Sequence, residues 1–109
     1  MAVHEFGLMP APPVPGQRYD AYKPEEYACI RIADTYIEPL CPALSGLDFF
    51  WHTTDVPATD LAYTGITLIP PATAAKILPL LPGAKVLSAF QALLQTAARE
   101  EKWIIHFGL

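Results

Sequence analysis

Apolar and polar positions alternate at period two in two segments near opposite ends of the chain, His4-Glu5-Phe6-Gly7-Leu8 and Ile105-His106-Phe107-Gly108-Leu109. This is the pattern of a half-buried strand. A strand at a chain end is most easily kept in order by pairing, so both segments are expected in one sheet. The same pattern predicts strands over 27–33, 48–53 and 61–69, with a closing strand over 102–107. Gly65 inside the third run marks a bulge or a close backbone approach. Residues 36–40 read as a short strand or a turn of helix, kept short by Pro39 and Pro42.

The period then changes. Pro70-Pro71 ends a strand and can open a helix, with Thr73 as its cap and Ala74, Ile77, Leu78 and Leu81 on one face. Pro79 bends this helix and Pro82-Gly83 ends it. From Ala84 to Glu101 the apolar stripe Val86, Leu87, Phe90, Leu93, Leu94, Ala97 and Ala98 has helical spacing. Pro10, Pro12, Pro13 and Pro15, followed by Gly16, form a rigid extended connector leading into a polar, tyrosine-bearing loop over 17–26. Strands, then two helices, then a last strand predict one α+β domain over 1–109. The expected form is a single antiparallel or mixed sheet of about five strands with two helices packed on one face.

Alternation also assigns faces. Phe6, Leu8, Ala28, Ile30, Ile32, Phe49, Trp51, Ala62, Ile66, Leu68, Trp103, Ile105 and Phe107 are expected beneath the helices. Burying each large side chain there stabilises by roughly 1.5–3 kcal/mol, and a one-residue slip would turn the set to water. The other side is then Glu5, Tyr27, Cys29, Arg31, Asp48, Phe50, His52, Tyr63, Thr67, Lys102, Ile104 and His106. Tyrosine and arginine carry binding energy at interfaces, so this polar-aromatic face is read as half-covered: a pocket under the Tyr19–Tyr22 loop, or an interface. Tyr27, Arg31, Asp48, Phe50, His52, Tyr63 and His106 are its candidate binding residues.

Composition narrows the classes. Hydrophobic residues make up 52% of the 109 and charged residues 17%, enough for a core without disulfides or metal. Residues 1–65 carry nine carboxylates against Arg18, Lys23 and Arg31, while 66–109 carry Lys76, Lys85, Arg99 and Lys102 against Glu100 and Glu101. No basic cluster can neutralise phosphates, so nucleic acid is not expected as a partner. The acidic first part, net -6, suits a basic protein or a cationic ligand; acids spread over solvated loops for solubility are the plainer explanation. Two cysteines make no secreted framework, and neither a leader nor a ~20-residue apolar span is seen. A cytoplasmic location with reduced thiols and no membrane role is expected.

The motifs for chemistry are sparse. Asp48 and His52 share a strand face but lie four residues, ~13 Å, apart along it, too far for a direct catalytic hydrogen bond. His52 and His106 would need adjacent strands to share a metal, and no recognised ligand spacing accompanies them, so neither metal nor cofactor is expected. Cys41 lacks the neighbours that activate a thiol, and phosphate-binding glycine loops are missing. The leading expectation is a small cytoplasmic, non-catalytic binding or regulatory protein, using the polar-aromatic face and the acidic tyrosine-rich loop, with a protein partner or its own copy. Such a composition matches an inhibitor or immunity-type partner of a basic protein, by analogy alone. The alternatives are a small enzyme or ligand-binding domain with its pocket on that face, using His52, His106 and Arg31, and a homodimer subunit.

Overall fold

The two rhyming segments are the centre of the sheet and pair with each other. In the computed structural model, which describes residues 2–109, the strands are β1 (Val3–Leu8), β2 (Ile30–Ala33), β3 (Phe49–Trp51), β4 (Pro57–Ala58), β5 (Ile66–Ile69) and β6 (Ile104–Phe107). They form one sheet in the order β2-β1-β6-β5-β3-β4, and every neighbouring pair is antiparallel. The helices are α1 (Asp34–Ile37), α2 (Cys41–Leu44), α3 (Pro71–Ile77) and α4 (Ser88–Glu100). The fold is α+β, with six strands instead of about five. A helical passage over 34–44, holding α1 and α2, adds to the two helices expected.

Local chemistry explains the differences in length. The strand expected over 27–33 starts only at Ile30, because Pro24–Tyr27 winds into a 3-10 turn that ends with Ala28 at φ 48. The run 61–69 loses its first half to a turn closed by Gly65 N–H on the Ala62 carbonyl (3.3 Å). Thr73 does not cap α3. It lies inside the helix, buried, and its hydroxyl donates to the Asp48 carbonyl at 2.6 Å, tying α3 to the approach of β3. The C-terminus of α4 closes with Glu101 at φ 54 and Lys102 N–H on the Ala97 carbonyl (2.9 Å), the left-handed closure usually given to glycine.

One face carries all four helices. Phe6, Ile32, Phe49, Ile69 and Ile104 meet Ile37, Leu44, Ala74, Ile77, Phe90 and Leu94 there; the Phe6 and Phe90 rings stand 4.4 Å apart. The other face is not solvated. Leu68, Ile105 and Phe107 sit in a second cluster with Met9, flanked by Tyr19, Tyr27, Cys29, Phe50, Ile66 and Trp103. The proline-rich segment and the loop after it supply the cover: Met9 N–H bonds the Trp103 carbonyl (2.9 Å) and Tyr19 N–H bonds the His52 carbonyl (2.6 Å).

The face assignment therefore needs correction. Phe6, Ile30, Ile32 and Phe49 lie under the helices as expected, but Ile66, Leu68, Trp103, Ile105 and Phe107 lie on the loop side. Thr67, Ile104 and His106 lie on the helix side. The register sets Phe6 opposite His106 and Thr67 opposite His106, so the bulky residues of β5 and β6 face away from Phe6. Trp51 is not in the core either. It is 38% exposed, and its indole N–H donates to the Asp60 carbonyl at 2.8 Å. No helix among the described residues is long and apolar enough to cross a membrane.

Candidate functional site

The strands carry polar chemistry on both faces, of two different kinds. On the helix side a chain of side-chain hydrogen bonds runs through the core. Asp34, the first residue of α1, is placed by its own N–H on the Ala2 carbonyl (3.0 Å). Its carboxylate accepts on both oxygens, from His4 Nε2–H at 2.9 Å and from the Tyr63 hydroxyl. With Nε2 donating, His4 turns Nδ1 to His106 Nε2–H, 2.9 Å away. His106 Nδ1 must then accept, and the Thr67 hydroxyl donates to it at 3.1 Å. Thr67 Oγ1 in turn accepts Ala62 N–H at 2.8 Å. Each group uses the donor and acceptor capacity its chemistry allows. Among the described residues no buried side-chain nitrogen or oxygen is left without a partner.

Burial and this pairing set the protonation states. His4, His106 and Thr67 are fully buried, and the two imidazoles lie nearly parallel with centroids 5.1 Å apart. Desolvation, and then the neighbouring His4, push His106 well below the usual histidine value. The Tyr63 and His4 hydrogen bonds hold Asp34 below the usual carboxylate range. The bond to Asp34 pushes Tyr63 up to about 12, since the phenol is held as a donor. Protonating both imidazoles at once would bring N–H against N–H at 2.9 Å. The chain is closed and self-satisfied.

On the loop side the same strands floor an open cleft of about 710 Å³. Alternation makes the two features back to back: Val3 and Glu5 flank His4, Phe107 follows His106, Ile66 precedes Thr67 and Thr64 follows Tyr63, and all five line the cleft. Arg18, Asp20 and Tyr22 of the loop line it too, as do His52 and Gly108. Glu5 is 8% exposed, and the Tyr22 hydroxyl donates to its carboxylate. That bond, reinforced by burial and the Glu5 charge, raises the Tyr22 hydroxyl. Arg18 and Asp20 pair with each other at 3.1 Å. His52 adopts φ 49, a left-handed conformation unusual outside glycine. Its N–H bonds the Ile66 carbonyl at 2.9 Å and its carbonyl takes Tyr19 N–H, so this bend links β3, β5 and the covering loop.

The expected binding residues are thereby divided. His106 and Tyr63 meet through His4 and Asp34, behind the sheet. His52 lines the cleft. Tyr27 and Phe50 pack in the loop-side cluster, against Phe107 and Trp103 respectively. Arg31 stands exposed on β2 opposite Glu5, and Asp48 is exposed at the start of β3, away from His52. His52 and His106 do not share a site. Among the described residues no group of three or more histidine, cysteine or acidic side chains could hold a metal. Cys29 is pushed up to about 11, by burial first and by Glu5 and Glu25 next, and burial likewise raises Cys41.

His4 and Asp34 lie outside the polar-aromatic face expected from sequence, whereas Glu5 belongs to that face and Tyr22 to the loop over it, though neither is among the candidate binding residues. His4 had a usable signal, since it alternates with Phe6 and so shares its face. Asp34 had none, because its role depends on where β2 ends. The chain matches no protein-family model, no curated protein and no solved structure.

Proposed function

We propose that this protein is a small binding module without catalytic chemistry of its own, taking its ligand in the cleft between the sheet and the tyrosine-bearing loop. The observation that carries this reading is the back-to-back arrangement. The groups best suited to proton transfer, His4, His106, Asp34 and Tyr63, are spent on one another on the helix side. The cleft on the opposite side has an apolar floor with a few convergent polar groups, and its volume falls within the common range for ligand sites, roughly 300–1,000 Å³. The ligand reaches it as a free molecule or as a segment of a partner protein.

His52 favours one rival reading. A non-glycine residue at φ 49 beside a cleft is the kind of strained position that accumulates at active sites. A small fragment collection titrated into ¹⁵N-labelled protein separates the two. Binding predicts saturable amide shifts at Tyr22, Gly65, Phe107 and Gly108 with no fragment consumed. Turnover of a fragment that is lost in His52→Ala, with the fold intact, contradicts it. Shifts gathered anywhere else remove the cleft from the account.

A further inference from the structure

We infer that the cleft recognises an organic cation, a guanidinium or ammonium group, with Glu5 as its counter-charge; this rests on the binding reading above. Glu5 is more than nine-tenths buried and lines the cleft floor. Among the described residues its carboxylate takes one hydrogen bond, from the Tyr22 hydroxyl on Oε1. A carboxylate withdrawn from water is costly unless a charge or several donors answer it. The cleft's own arginine does not answer it, because Arg18 is committed to Asp20 at 3.1 Å. Arg31 lies across from Glu5 in the β1–β2 register, yet its side chain is exposed and no ion pair joins the two.

The walls suit the same chemistry. Tyr22, two-thirds exposed, overhangs the floor and meets Phe107 edge-on with centroids 5.4 Å apart. Aromatic faces beside a carboxylate attract desolvated cations. The surrounding sequence adds a favourable field, since residues 1–65 are net -6. Anions are opposed by the same features.

Isothermal calorimetry with N-acetylarginine amide, its uncharged citrulline counterpart and N-acetylglutamate amide tests the inference. The arginine compound is expected to bind at least about tenfold more tightly than citrulline, more weakly as salt rises, and with the preference lost in Glu5→Gln. Should Glu5→Gln not fold, Arg31→Gln serves: removing the exposed competing charge tightens arginine binding about threefold, and no change or weakening overturns the assignment. A Gly-Arg-Gly amide binding better than agmatine identifies a partner's side chain as the source, and the reverse identifies a free small molecule. Citrulline or glutamate binding in the cleft as tightly as arginine ends the cation assignment and leaves the cleft as a binding site. If none of these probes binds, the cation assignment falls, and the fragment titration above decides the binding reading separately.

Discussion

Replacing His106 with phenylalanine keeps a planar ring in the core and removes both nitrogens from the hydrogen-bond chain. At about pH 7 the change leaves His4 Nδ1 without its donor and the Thr67 hydroxyl without its acceptor. Each orphaned buried group costs about 1–3 kcal/mol, so the variant is expected to be less stable by about 2–6 kcal/mol. Acid then works the other way. His106 is held neutral, well below its ordinary value of 6.5, so the unfolded chain takes up a proton that the folded chain refuses. Stability from this group is full above the unfolded value and falls as pH drops below it, by at most about 1.4 kcal/mol per pH unit. Between about pH 7 and about pH 5 the wild-type protein loses about 2 kcal/mol through His106 alone. His106→Phe does not lose it. The other groups of the chain, His4, Asp34 and Tyr63, remain in both proteins. Urea unfolding of both proteins at the two pH values should show the stability gap narrowing by about 2 kcal/mol. A gap constant within about 0.5 kcal/mol would refute a neutral, hydrogen-bonded His106.

Three further outcomes follow from single contacts. Glu101→Gly relieves the left-handed residue closing α4 and should raise stability by about 1 kcal/mol in chemical denaturation; a loss would mean the glutamate side chain contributes to the cap. Gly108→Ala would place a methyl carbon 2.3 Å from the Tyr63 carbonyl oxygen, against backbone that cannot yield cheaply. A thermal melt should drop by several degrees, for a change of about 1–3 kcal/mol, and an unchanged melt would show that the 62–65 turn is not fixed. Cys29, pushed up to about 11, should react with iodoacetamide at neutral pH at least about tenfold more slowly than free cysteine. Alkylation at the free rate would contradict its burial.

Much of the architecture was legible because period and length carry it. The α4 stripe of Leu87, Phe90, Leu94 and Ala97 could only be a buried helix face, and Phe6 and Ile105 could only be strand interiors. The face of each strand was harder, for a definite physical reason. Alternation tells which residues share a side, not which side it is, and it is informative only when one side is wet. Here both sides are dry, because the segment from Met9 to Cys29 covers the second face. The matching Phe-Gly-Leu endings of β1 and β6 invited the same orientation for Phe6 and Phe107. Antiparallel pairing instead sets Phe6 across from His106. That one-residue offset carries His106 and Thr67 into the helix-side core, away from His52. The cleft depends on the same unseen register, since Glu5 becomes a floor residue only once Phe107 and Ile66 lie beside it and the Tyr22 loop lies over it.

The sheet separates a locked proton network from an open binding surface. Nitrogen NMR of the imidazole side chains, followed from about pH 8 to about pH 5 with and without N-acetylarginine amide, reads both sides at once. His106 should keep a protonated Nε2 and a bare Nδ1 throughout, without a titration step and without responding to the ligand, while the amides of Gly65 and Gly108 move. A His106 that titrates near 6.5, or that shifts together with those amides as ligand is added, would show that the two faces are not separate.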